Sequence, residues 1–268
     1  MTYAEVIGDP IVHSKSPVIH GFWLEALGIE AEYRATRVEA DGLATFFAAR
    51  AADSGWRGCN VTIPHKEAAL DHVPDPGDVR GSIGAINTVF RGDDGKLIGT
   101  NTDAAGFYAP LADTDLAGGH AVVIGAGGAA RAILFALSRM GIGAVTLMAR
   151  NPLKGAGLLA KFGLKGDVVD FATPLPPVDL VVNASPLGMT GQPPLVLDLD
   201  DLPEHAIVYD IVYAPLETPL LAAARARELA TIDGLEMLIG QAAAAFGLFF
   251  GAEPPRDRDD ELRARLTA

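Results

Sequence analysis

Short apolar runs of strand length alternate along this chain with longer stretches in which apolar residues recur every three or four positions. In the first hundred residues, Tyr3 to Gly8 and Glu32 to Val38 predict strands, and Pro17 to Leu27, stopped by Gly28, and Gly42 to Ala52 predict helices. Gly58 to Val61 reads as the end of a further strand, and Pro64 just beyond it fits the first turn of a helix, where a missing N–H costs nothing. Pro74 to Asp78 is a turn-rich connection. Ala85 to Phe90 and Lys96 to Gly99 then predict two strands joined by RGDDG, a hairpin signal.

From Ala121 the alternation becomes regular. Strands are predicted over Val122 to Gly125, Ala144 to Ala149, Val178 to Asn183, Ala206 to Ile211 and Leu229 to Ile232, with helices over Ala129 to Met140 and Leu153 to Phe162. Such a rhythm predicts a parallel, doubly wound sheet preceded by a separate α/β layer. Leu235 to Phe250 reads as an apolar helix interrupted by Gly240 and Gly247, and the last dozen residues as a charged amphipathic helix.

Composition narrows the function. With 268 residues the chain can fold as one large domain or two ordinary ones. A formal net charge of -13 argues against a nucleic-acid partner, which needs a basic face. The longest apolar stretch, Ala242 to Phe250, is far short of the about 20 residues that span a bilayer. One cysteine, Cys59, and no secretory signal in MTYAEVIGDP suit the reducing cytoplasm. The six histidines show no ligand-like spacing, so no metal is expected.

Gly125, Gly127 and Ala130 form G-x-G-x-x-A between a predicted strand and a predicted helix, the fingerprint of a dinucleotide site. The small residues Ala126, Gly127, Gly128 and Ala129 leave the helix N-terminus uncovered for a phosphate. An NAD site usually carries Asp or Glu after the next strand. Here that position reads Ala149, Arg150, Asn151, with Lys154 beyond, and cations suit a 2′-phosphate, so NADP is favoured. Four polar clusters follow strands of the first layer: Ser14 and Ser16, one of which suits a helix N-cap; Thr62, His65 and Lys66; Asn87 and Thr88; and Asn101, Thr102 and Asp103. A lysine paired with a carboxylate, as Lys66 with Asp103, can give and take a proton.

HSKSP, NVTIPHKE, GAINT, GTNTDAAGF, GAGGAAR, NASPLGM, DIVYAPLETPLL and DGLEMLIGQAA stand in the order in which similar segments occur in the shikimate dehydrogenase family, which this chain resembles over nearly its whole length. The resemblance implies a two-domain α/β protein. A substrate-binding domain would comprise residues 1–104, completed by C-terminal helices over 234–268, and a Rossmann-type NADP domain residues 105–233, with a cleft between them. It implies that Lys66 and Asp103 are catalytic, that Ser14, Ser16, Thr62, Asn87, Asp103, Tyr213 and Gln241 bind shikimate, that Met237 lies near the nicotinamide, and that Arg150, Asn151 and Lys154 clamp the 2′-phosphate. Two positions depart from the family pattern: Ala149 replaces the usual Asn before the clamp arginine, and Ser185 stands where Thr is common. The implied reaction is reversible NADPH-dependent reduction of 3-dehydroshikimate to shikimate, in aromatic amino-acid biosynthesis, by a cytoplasmic monomer or homodimer. A quinate/shikimate dehydrogenase using NAD or both cofactors, and a non-catalytic NADP-binding regulatory module, stay open at this point.

Overall fold

A computed structural model describes residues 1–74 and 78–268. The chain divides into two compact units, one formed by Met1–Gly106 with Ile239–Ala268 and the other by Phe107–Leu238. Most of the turn-rich connection expected over 74–78 lies outside the described residues.

The elements up to the first boundary are β1 (Thr2–Gly8), α1 (Ser16–Leu27), β2 (Ala31–Arg37), α2 (Leu43–Ala52), β3 (Trp56–Val61), α3 (Val79–Ser82), β4 (Thr88–Arg91), β5 (Leu97–Thr100) and α4 (Asp103–Tyr108), which straddles it. Their five strands form one sheet in the order β2-β1-β3-β4-β5. β1 runs parallel to β2 and β3, whereas β4 and β5 form the expected hairpin, with β4 antiparallel to both β3 and β5. Central strands β1 and β3 are buried almost throughout, as flanking by strands on both sides requires. One buried residue of β1 is a charge: Glu5 accepts from Arg50 Nε at 2.6 Å, Trp56 Nε1 at 2.8 Å and Thr36 Oγ1 at 2.5 Å, so both its oxygens are satisfied.

The second unit contains β6 (His120–Ile124), α5 (Gly128–Arg139), β7 (Ala144–Met148), α6 (Pro152–Lys161), β8 (Val168–Val169), β9 (Leu180–Asn183), β10 (Ile207–Asp210), α7 (Pro219–Ala226) and β11 (Ala230–Ile232). Its six-stranded sheet has the order β11-β10-β9-β6-β7-β8 and is parallel throughout. The chain therefore builds outward from β6 to one edge, returns, and builds from β9 to the other. This is the doubly wound topology expected from the sequence, with its switch point between β6 and β9. Helix α5 packs inward through Ala130, Ile133, Leu134 and Leu137, an i, i+3, i+4, i+7 stripe. Helices α6 and α7 each start with proline and are capped by the preceding side chain, Asn151 Oδ1 on Lys154 N–H and Thr218 Oγ1 on Leu221 N–H.

Helix α8 (Gly234–Phe250) crosses the second boundary, and α9 (Asp259–Thr267) closes the chain. Gly240 of α8 lies so close to α4 that a Cβ there would come 3.1 Å from Gly106 Cα. Among the described residues no helix is long and apolar enough to cross a membrane.

Two sequence expectations are overturned. Pro64 does not begin a helix: Ile63–Pro64 is a cis peptide in a turn, and only a single 3₁₀ turn, Ala68–Asp71, follows. The reason is a competing backbone bond, since the Lys66 carbonyl accepts from Ile86 N–H at 2.7 Å and is not available to a helix. Neither serine of HSKSP caps α1. The N-cap position is Lys15, without a side-chain cap, and the Ser14 hydroxyl accepts from Ser16 N–H at 3.3 Å.

Candidate active site

In the unit formed by Met1–Gly106 with Ile239–Ala268, sheet register brings the four polar clusters together. Ile7 of β1 pairs with Val61 of β3, Asn60 with Thr88, and Thr88 with Thr100. The loop after β1, the turn after β3, the entry to β4 and the exit from β5 therefore share one end of the sheet. Ser14 and Ser16, Thr62 and Lys66, Asn87, and Asp103 occupy these four places in turn. Thr62 is held there by its N–H, which donates to Ile7 O at 2.9 Å.

Within this end, Lys66 Nζ donates to Asp103 Oδ2 at 2.5 Å, with side chains only 15% and 6% exposed. The lysine is held by its own turn: neighbouring His65 is buried and its Nε2 lies 2.6 Å from Val38 O. Asp103 starts α4, a position at which a carboxylate faces unpaired N–H groups. Its other oxygen accepts from Asn87 Nδ2 at 2.8 Å. Asn87 Nδ2 also reaches Thr102 Oγ1 at 2.9 Å and Gln241 Oε1 at 3.3 Å, although Gln241 lies 154 residues further along the chain. The close approach at Gly240 admits that glutamine. Lys66, Asn87, Asp103 and Gln241 thus form one hydrogen-bonded group, with Ser14, Ser16 and Thr62 on the same sheet end. A partly covered cation beside fixed amide and hydroxyl groups can bind a polyhydroxylated anion and pass it a proton.

The other unit carries the dinucleotide fingerprint at its switch point. Gly125 has φ 110°, and a Cβ there would lie 2.8 Å from Ala184 O on the segment leaving β9. Gly127 is the N-cap of α5 without a side-chain cap, and a Cβ on it would meet nothing within 4 Å. Ala126, Gly128 and Ala129 are half-buried beside it, so the helix N-terminus is open to a phosphate. After β7, Arg150, Asn151 and Lys154 are all exposed, and no carboxylate stands among them. These residues fit a dinucleotide with a 2′-phosphate. Asn151 has a second task as the cap of α6. Tyr213 is half-buried in the segment after β10, where desolvation raises its hydroxyl pKa, and Met237 is buried in α8.

Sequence reasoning did not single out the support beneath these segments. Buried Asp210 accepts from Asn183 Nδ2 at 2.9 Å, Val212 N–H at 3.0 Å and Thr218 Oγ1 at 2.7 Å, tying the segment after β9 to that after β10. Ser185, the departure from the usual threonine, keeps a hydroxyl that donates to Asn183 Oδ1 at 2.7 Å. The available signal was a polar residue ending each of two apolar strands, LVVN and IVYD.

Known proteins match this arrangement along the whole chain. Residues 6–89 match the family model described as shikimate dehydrogenase substrate binding domain, and residues 234–259 the model of the shikimate 5′-dehydrogenase C-terminal domain. A shikimate dehydrogenase (NADP(+)) of Sphingopyxis alaskensis is 67% identical over 99% of this chain and 97% of its own. A shikimate 5-dehydrogenase from Thermus thermophilus, solved in complex with NADP(H) and shikimate, superposes with a TM-score of 0.86 at 36% identity, covering 99% of this chain and 100% of that one. A quinate dehydrogenase from Corynebacterium glutamicum in complex with NAD is also similar, with a TM-score of 0.85 at 31% identity, covering 98% of this chain and 99% of that one. The chain belongs to the shikimate dehydrogenase family.

Proposed function

We propose that this protein is an NADP-dependent shikimate dehydrogenase that reversibly reduces 3-dehydroshikimate to shikimate in aromatic amino-acid biosynthesis. The observation that carries the reading is the Lys66–Asp103 pair, held at 2.5 Å in a nearly covered polar group. Residues 1–104 with 234–268 serve the substrate and residues 105–233 the cofactor. Gly125 to Ala129 receive the pyrophosphate, Arg150, Asn151 and Lys154 the 2′-phosphate, and Met237 flanks the nicotinamide. When bound, NADPH supplies the hydride that reduces the ring carbonyl carbon.

Ser14, Ser16 and Thr62 bind the substrate carboxylate, while Asn87, Asp103 and Gln241 fix the ring hydroxyls and Tyr213 adds a further contact. Lys66 donates its proton to the former carbonyl oxygen and recovers one from solvent; in the reverse direction it accepts the hydroxyl proton. Asp103 keeps the amine in one place through both states. The work is done in the cytoplasm, by a monomer or a homodimer. Replacing Lys66 by Ala should cut kcat roughly 100- to 10,000-fold, the range of acid–base residues, with a smaller effect on the KM for shikimate. An unchanged kcat would remove Lys66 from the chemistry.

A further inference from the structure

Behind the candidate pair, a line of buried polar side chains runs back into the core of the same unit. It begins at Tyr33 on β2, whose ring stacks on that of His20 with centroids 3.9 Å apart and planes 1° from parallel. Trp23 meets the same imidazole edge-on at 5.7 Å, and Phe246 stacks on it at 5.8 Å. The stack is therefore fixed on several sides, and the Tyr33 hydroxyl points at Asn60 Oδ1, 2.5 Å away. Burial raises the phenol well above its ordinary pKa, so the hydroxyl keeps its proton.

The first of the following bonds then has a fixed direction. An amide oxygen cannot donate, so the Tyr33 proton goes to Asn60 and the Asn60 amino group must face the other way. Asn60 Nδ2 donates to Thr88 Oγ1 at 3.1 Å and approaches Asn87 O at 3.4 Å. With that N–H on its lone pair, Thr88 Oγ1 donates to Asn87 Oδ1 at 2.9 Å. Asn87 is thereby oriented with Nδ2 towards Asp103 Oδ1 at 2.8 Å. Asn60, Asn87, Thr88 and Asp103 are all at least nine-tenths buried, so water does not compensate for a lost partner.

We propose that Tyr33 is a positioning residue, whose hydroxyl sets through Asn60, Thr88 and Asn87 the orientation in which Asp103 holds Lys66. This rests on the reading of Lys66 and Asp103 as the proton-transfer pair. Without the hydroxyl, Asn60 Oδ1 loses the donor that holds it at 2.5 Å. The amide is then anchored from the Thr88 side alone, and the geometry that runs from Asn60 through Thr88 to Asn87 is free to shift. Thr102 N–H also donates to Asn87 Oδ1, at 2.7 Å, so the orientation is loosened and not reversed. A loss of roughly 2- to 30-fold in kcat follows, well short of that from removing the lysine.

The test measures kcat, the KM for shikimate and the solvent deuterium isotope effect on kcat in the full-length protein. The variants are Tyr33→Phe, Thr88→Val, Thr88→Ser, Lys66→Ala and Tyr3→Phe. Tyr3 is a control in the same sheet, since its hydroxyl donates to Asp53 Oδ2 at 2.7 Å. Tyr33→Phe and Thr88→Val should lower kcat with little change in KM and raise the isotope effect, because proton transfer becomes slower. Thr88→Ser, which retains the hydroxyl, should restore both. Tyr3→Phe should lower the unfolding temperature without moving either. If Tyr33→Phe does not fold, the Thr88→Val and Thr88→Ser pair decides. Wild-type kcat and isotope effect in Tyr33→Phe or in Thr88→Val, or a change confined to KM, would overturn the positioning role while Lys66→Ala remains inactive. Full turnover in Lys66→Ala would instead overturn the reading beneath it.

Discussion

Burial among Trp23, Tyr33 and Phe246 pushes the His20 imidazole down to about 3, because desolvation penalises the charged ring. An unfolded chain's histidine titrates at 6.5. As pH falls below that value the unfolded chain takes up a proton that the folded one refuses, so stability is complete above 6.5 and declines towards about 3. The slope is on the order of 1.4 kcal/mol per pH unit. His20→Phe should therefore flatten the acid limb of stability measured by urea unfolding between pH of about 6 and about 4. An identical slope in the variant would mean that His20 accepts a proton in the fold without cost. Lys66 and Asp103 were legible because each is a charged residue just beyond an apolar strand. The His20–Tyr33 stack was not: nothing in HGFW or AEYR says that two polar rings from a helix and a strand will be buried face to face.

Among elements, the βα turns carry the most testable chemistry. Arg150 follows β7 where a ribose-binding acid would stand in an NAD site. Arg150→Ala should raise the KM for NADP much more than that for NAD, and equal effects would place 2′-phosphate recognition elsewhere. Most strands and helices were legible within a few residues, because Pro17 and Gly28 bracket α1 and the apolar strands of the second sheet are continuous runs. The two-residue β8 is too short to leave a periodic signal, and α7 is marked only by Thr218 and Pro219. At NVTIPHKE the local signal was present but was overridden. Pro64 permits a helix, yet the bond from Ile86 N–H to Lys66 O, between residues distant in sequence, holds the lysine in a turn.

At the scale of the whole molecule, the unit that begins the chain also takes its last thirty residues, Ile239–Ala268. Gln241 thereby joins Asn87, a long-range pairing that periodicity does not reveal and that only the likeness to a known family implied. Against an overall charge of -13, Lys66, Arg150 and Lys154 are the cations of the proposed substrate and cofactor sites. The similar quinate dehydrogenase with NAD makes the choice of substrate and cofactor the decisive question. The most direct measurement is a steady-state comparison of shikimate and quinate, each with NADP and with NAD. The highest kcat/KM is expected for shikimate with NADP. A higher kcat/KM for quinate with NAD would contradict the account.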